Sequence, residues 1–283
     1  VQETQVSGVT TDSKATATLT EAARSKHIMY YAMQMFFANG GGPCYIVSAG
    51  PFKPTFGGAL VGSELKTALD TLEKKDEPTL IVFPEAQNLS QGEFALLLDG
   101  ALVQCANLKD RFVIMDLHGD GISLSDPNAN LLNAVDKFRT SGIGANNLKY
   151  GALYAPNLDT VLDFLYDDTT VDVTVTTNGT PAAPVKLDTL KAANNRIYEE
   201  AKAAIADMVC RLPPSAAMAG IYAAVDNSRG VWKAPANVSV ATVIQPSIQF
   251  SNVEQDQMNV DPVAGKSVNA IRAFTGKGTL VWG

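Results

Sequence analysis

The sequence is poor in the residues that carry most catalysis and most membrane or nucleic-acid contact. It has two histidines, His27 and His118, and three cysteines in 283 residues. A serine-hydrolase triad needs a histidine placed between nucleophile and acid, so the scarcity leaves few candidate constellations. Cys44, Cys105 and Cys210 are isolated, odd in number and set in apolar segments, where a thiol behaves as a small hydrophobe. They are expected to be buried, reduced and structural. No stretch approaches the roughly 18 uninterrupted apolar residues of a membrane-spanning helix, and no basic segment followed by an apolar run opens the chain. The net charge is -7, with no Lys/Arg cluster or basic stripe to offset it. That balance opposes phosphate backbones, so no nucleic acid and no membrane is expected among the partners.

What is present suits a soluble globular chain. Apolar residues make up 46% and charged residues 18%, enough to bury one large core or two smaller ones. The first twenty residues are polar and Thr-rich, Val1 is no initiator, and the final run stops directly after a strand-like segment. These features lead to the expectation of a fragment cut at both ends.

From Thr20 to Asn39, Ala23, Ile28, Tyr31, Met35 and Phe36 fall on a helical stripe with Thr20 as N-cap, and Gly40-Gly41-Gly42 ends it. Cys44–Val47, Leu80–Phe83, Phe112–Met115 and Tyr150–Tyr154 read as short buried strands. Helices are expected between them: 63–74, one opened by the Ser90/Glu93 capping box and running to about Leu108, and one started by Asp126 and Pro127 with Leu131, Leu132, Val135 and Phe138 inward. Continuously apolar strands alternating with helices imply a parallel sheet covered on both faces. The expected class is therefore α/β, a three-layer parallel sheet of subtilisin-like or Rossmann-like type.

Alternating Val and Thr around Asn178-Gly179 signal a hairpin excursion over about 167–186. A long helix is expected from Asp188 to about Arg211, ended by Pro213-Pro214, with Ser215 capping a further short helix. The expected organisation is an N-terminal remnant over 1–20, an α/β domain over 21–243, and the start of a small α+β unit over 244–283.

In a parallel sheet, ligands bind beyond the carboxyl ends of the strands. The sharpest candidate there is Asp116 with His118 and Asp120, because alternate residues of an extended segment point the same way and two carboxylates with an imidazole suit a divalent metal. Polar residues before a glycine are first of all a turn. Gly40-Gly41-Gly42 follows a helix and precedes a strand, the reverse of a phosphate loop. Ser215, in Ser-Ala-Ala-Met-Ala-Gly, loosely resembles a subtilisin nucleophile segment but lacks a partner histidine segment, so it is read as a cap. No catalytic, cofactor-binding or metal residue is expected.

Four segments together resemble the contractile tail-sheath family of phages, R-type pyocins and phage-like extracellular injection particles. They are FFANGGGPCYIVSAG (36–50), DEPTLIVFPEA (76–86), PPSAAMAGIYAAVDNSRGVWKAPAN (213–237) and AIRAFTGKGTLVWG (270–283), with NLKYGALYAP (147–156) as a weaker fifth. The motif positions are Gly41, Pro43, Pro213, Pro214, Gly230, Trp232, Pro235, Gly276, Gly278 and Trp282. The resemblance implies a subtilisin-like sheath domain without protease activity, followed by a smaller C-terminal domain. It also implies a structural subunit, not an enzyme, that forms hexameric stacked rings around an inner tube protein and meets baseplate and terminator proteins. Its place would be the bacterial cytoplasm during assembly and then a virion or injection particle. The alternative from the residues alone is a hydrolase or metal-dependent enzyme centred on Asp116, His118 and Asp120. Without the linking arms that the family uses, the chain is expected to be monomeric. Gly230, Trp232 and Pro235 are expected to fix a buried turn in which the indole anchors the long helix to the sheet.

Overall fold

The structure is a computed structural model that describes residues 7–10, 15–19, 24–53, 58–118, 130–177 and 180–282. It divides into two compact units, one of Val1–His27, Phe52–Ala59 and Val161–Cys210, the other of Ile28–Pro51, Leu60–Thr160 and Arg211–Gly283. The chain thus crosses between units more than once, along lines different from boundaries near residues 20 and 243.

The smaller unit holds β1 (Ser7–Thr10), β2 (Thr16–Thr18), β7 (Asp172–Thr174), β8 (Thr176–Thr177), β9 (Thr180–Pro181), β10 (Val185–Lys186), α5 (Leu187–Ala193) and α6 (Asn195–Ala206). One four-stranded sheet has the order β10-β7-β1-β2, and β8 pairs with β9 in the expected hairpin, Thr177 opposite Thr180. Asn178 and Gly179 themselves lie outside the described residues. Its core joins Val171, Val173, Leu187, Ile197, Ala201 and Ile205. The single helix expected from Asp188 to Arg211 is instead two. Asn194 interrupts it because its side-chain oxygen accepts from the Ile197 amide, an N-cap that competes with helix continuation.

The larger unit holds α1 (Met29–Ala38), α2 (Gly62–Leu72), β3 (Leu80–Val82), α3 (Gln91–Leu108), β4 (Phe112–Asp116), α4 (Leu131–Lys137), β5 (Gly151–Ala155) and β6 (Leu158–Thr160). After β11 (Cys210–Leu212), which begins at the border, come α7 (Ser215–Arg229), β12 (Val238–Ser239), β13 (Val243–Pro246), α8 (Asn252–Asn259), β14 (Asn269–Phe274) and β15 (Gly278–Val281). Arg211 therefore sits in a strand, and Pro213-Pro214 separate that strand from a 15-residue α7, where a helix end and a short helix were expected.

Six strands form the main sheet in the order β12-β15-β14-β5-β4-β3. β3, β4, β5 and β14 run parallel, Ile81 opposite Val113 and Met115 opposite Leu153, while β14-β15-β12 is antiparallel. The sheet is mixed, not wholly parallel. β14 joins β5 directly, so the residues expected to open a separate C-terminal unit extend the central sheet. A three-stranded sheet β11-β6-β13 stands beside it, where Arg211 Nε donates to the buried Asp159 at 2.6 Å across the strands.

Strand alternation makes three layers. Val113, Met115 and Leu117 pack with Phe94, Leu98 and Leu102 of α3, whereas Phe112 stacks on Tyr222 of α7 at 6.0 Å. Tyr154, whose neighbours Leu153 and Ala155 face the α3 side, shares a hydroxyl contact with Tyr222 at 2.9 Å. α3 thus covers one face and α7 the other, with α1 packed on α7. The Ser90/Glu93 capping box is formed as expected, and Lys109 closes the helix in the left-handed region at φ 64°. Arg111, its side chain fully buried, donates to the Leu72 and Lys75 carbonyls and so satisfies the end of α2.

Other expectations meet mixed outcomes. α1 starts at Met29, and residues 20–23, with the expected cap Thr20, lie outside the described residues, as do Asp126 and Pro127. Leu131, Val135 and Phe138 are buried as expected, in α4 and the π-helical turn that continues it, while Leu132 is half-buried against the same core. Cys44–Val47 makes no ladder and Cys44 is exposed, whereas Cys105 and Cys210 are buried. Burial pushes the Cys105 thiol up to about 11, which keeps it protonated and unreactive.

Candidate functional site

The carboxyl ends of β3, β4 and β5 are where a parallel sheet places its chemistry. Asp116, the last residue of β4, is 5% exposed. Its Oδ1 accepts from the Ser215 amide at 2.7 Å and its Oδ2 from the Ser215 hydroxyl at 2.5 Å. Ser215 is the first residue of α7, with Pro214 as N-cap, so the serine is not itself the cap. Asp116 performs that task from the sheet, filling the orphan amide and meeting the positive helix end. Burial raises its pKa from an ordinary 3.8 to about 7, against the two hydrogen bonds from Ser215, which lower it.

His118 belongs to a different environment. Its Nε2 lies 2.9 Å from the Leu89 carbonyl and its Nδ1 2.7 Å from Gln91 Oε1, and its ring stacks on Phe94 at 4.8 Å. These partners stand at the start of α3, on the opposite sheet face from α7. The expectation that alternate residues would converge fails because β4 ends at Asp116 and the two-residue period ends with it. Asp120, the third member, lies outside the described residues. Among the described residues no three His, Cys, Asp or Glu side chains are grouped to hold a metal.

A groove of about 360 Å³ runs beside β14, lined by Pro246, Ile248, Phe250, Arg272, Phe274 and Thr275. None of these carries a carboxylate, imidazole or thiol. The Arg272 guanidinium is engaged by Asn252, Gln255 and the Phe250 carbonyl and lies over the Phe250 and Phe274 rings, so it serves as wall.

The segments that carry the sequence resemblance do meet in space. Gly220 of α7 lies so close to α1 that an added Cβ would sit 2.3 Å from the Phe36 carbonyl oxygen. The Asn39 side chain, at the end of α1, accepts from the Ala241 amide at 2.8 Å and donates to the Met35 carbonyl. Gly40, at φ +97°, and Gly41 turn the chain away, their amides bonding Phe37 and Phe36 carbonyls. Pro213 and Pro214 are buried at the entrance of α7, and Pro43 is exposed. Beyond α7, Pro235 leads to the Asn237 amide, which donates to Val281 at 2.7 Å before Val238 pairs opposite the same residue. Gly276 and Gly278, both at φ +76°, make the turn between β14 and β15, and Trp282 lies against Phe274 at 4.6 Å.

Trp232 departs from its expected role. It is 85% exposed, beside Val231 at 80%, and its ring covers the bare α-carbon of Gly230, where a Cβ would stand 2.3 Å from the indole. Gly230 is held at φ +88°, a conformation that disfavours any side chain. The turn exists, but it presents the indole outward and does not anchor α7 to the sheet. Trp232→Ala is therefore expected to change stability by less than about 0.5 kcal/mol, read as an almost unmoved thermal midpoint.

No family model matches the chain and no curated protein does. Solved structures do. The baseplate of the anti-feeding prophage (AFP) in its contracted state matches with a TM-score of 0.54 and 24% identity, over 91% of this chain and 54% of that one. The sheath complex of PVC, an extracellular contractile injection system, in its contracted state matches with a TM-score of 0.50 and 24% identity, over 91% and 49%. The chain spans about half the length of the chains it matches. At this level of identity the shared property is the fold, which this chain has in common with the contracted PVC sheath complex and the contracted AFP baseplate.

Proposed function

We propose that the chain is the subtilisin-like α/β core of a structural subunit of a contractile sheath, with no catalysis of its own. Copies stack as hexameric rings around an inner tube, meet the baseplate at one end and a terminator at the other, and drive the tube through a target envelope by contracting. Assembly takes place in the bacterial cytoplasm, and the product is part of a phage-like particle. The observation that supports this reading most is the likeness of fold to the contracted AFP baseplate and PVC sheath.

The polar groups at the sheet's carboxyl end agree with it. Asp116 is committed to α7, and His118 to the start of α3, so neither faces a common space. A helical polymer needs heterologous contacts that do not close, repeated on every subunit, and rigid domains that slide past one another carry contraction without internal rearrangement. The motif residues Gly41, Pro43, Pro213, Pro214, Gly230, Trp232, Pro235, Gly276, Gly278 and Trp282 serve this by shape. They set close approaches and turns, and the outward Val231-Trp232 pair is offered to a neighbouring subunit.

The experiment is co-expression of the complete gene product with its tube protein, followed by high-speed sedimentation. Wild-type protein is expected in the pellet with the tube. Trp232→Ala is expected to leave folding intact and to move at least half of the subunit to the supernatant. The reading fails if the complete protein stays soluble with the tube present, or if the purified protein turns over a serine-hydrolase probe or binds stoichiometric metal.

A further inference from the structure

Among the described residues, no strand pairs with the outer edge at one end of the six-stranded sheet. β3 is its last strand. Phe112 donates to the Thr79 carbonyl and Ile81 stands opposite Val113, which commits the main-chain groups of Ile81 to β4. In a parallel ladder the intervening residues face the other way, so the N–H and C=O groups of Leu80 and Val82 point outward from the sheet. An unpaired edge of this kind is a template for any passing strand.

A segment with strand chemistry and, among the described residues, no strand partner is held to the residues that lead into β3. Cys44, Tyr45, Ile46 and Val47 are four consecutive apolar residues, the pattern of a strand buried on both faces. In the structure they form no ladder, and Tyr45 is 56% and Ile46 62% exposed. The Tyr45 hydroxyl donates to the Glu77 carboxylate, three residues ahead of β3, which tethers the segment to the strand's entrance. α2, at Gly62–Leu72, lies between the two in sequence, so the segment, α2 and β3 have the order of a βαβ crossover, whose two strands run parallel.

We propose that Cys44–Val47 is a strap that closes onto the outer edge of β3 as a further parallel strand, extending the sheet and masking that edge from other chains. Closure satisfies the Leu80 and Val82 main chain and removes Tyr45 and Ile46 from water. The open arrangement leaves both exposed. This holds whether or not the sheath reading is correct, since it concerns the sheet of a single copy.

Hydrogen exchange on the whole protein, combined with iodoacetamide labelling of Cys44, tests it. The Leu80 and Val82 amides are expected to exchange at least about 100-fold more slowly than in the unfolded chain, and Cys44 to label at least about tenfold more slowly than in urea. Ile46→Pro, which removes one main-chain donor from the strap and disfavours its pairing as a strand, is expected to release both while the Ile114 amide inside the ladder stays protected. Tyr45→Phe, which cuts only the tether, is expected to speed Cys44 labelling by a few fold and guards against a misfolded proline variant. Fast exchange at Leu80 and Val82 with fast labelling of Cys44 overturns the proposal. So does protection that rises with protein concentration while Cys44 stays fast, because a second copy would then fill the edge.

Discussion

Gly220→Ala is expected to destabilise the larger unit by about 3 kcal/mol, at the upper end of the range for forcing extra atoms into a packed core. The new methyl would meet the Phe36 carbonyl oxygen at 2.3 Å and the Asn39 Cβ at 3.1 Å. The first is main chain and cannot swing aside, so α1 must move off α7. That movement also pulls Asn39 from the Ala241 amide, which it holds at 2.8 Å. Urea unfolding should show a lower midpoint with an unchanged slope. A midpoint within experimental error of the parent would mean that the two helices do not touch as described.

The second large effect depends on pH. Asp116 has its folded-state pKa raised from 3.8 to about 7 by burial. A carboxyl of this kind binds its proton more tightly in the folded protein, so its contribution is complete below about pH 4 and is lost as pH rises through 7. The separation of the two values corresponds to at most about 4 kcal/mol. Asp116→Asn keeps an acceptor for the Ser215 amide but carries no titrating proton. Relative to the parent, the variant should gain stability steadily from pH 4 to pH 7.5. The comparison is needed because Glu93, Asp110, Asp167, Glu254 and Asp261, all with lowered pKa values from hydrogen bonds, act with the opposite sign. A difference between parent and variant that stays flat across this range would show that Asp116 is ionised or solvated.

The same residue shows how far the sequence could be read. Its position at the end of a strand was legible because Phe112–Met115 is a continuous apolar run. Its partner was not, because Ser215 is 99 residues away and nothing local links them. The pairing with His118 was a local inference, and it failed where the strand stopped. The capping box of α3 was read correctly for the converse reason: both of its partners lie within one turn. The motif around Gly230, Trp232 and Pro235 suggests a buried turn, yet an indole beside a glycine at positive φ can lie over that glycine and still face water. The addition of β14 to β5 joins residues more than a hundred positions apart, and a turn-rich stretch between them hid it. The motif segments carried the family resemblance because turns and close approaches leave Gly and Pro at fixed spacings even where side-chain partners cannot be read.

The most direct test of the proposed function, that this molecule works by gripping copies of itself, is electron microscopy of the complete gene product produced with the tube and baseplate proteins that the proposal names. Hollow cylinders with a regular axial striation, absent when the subunit is left out, are the expected result. Dispersed single copies beside bare tubes would contradict it.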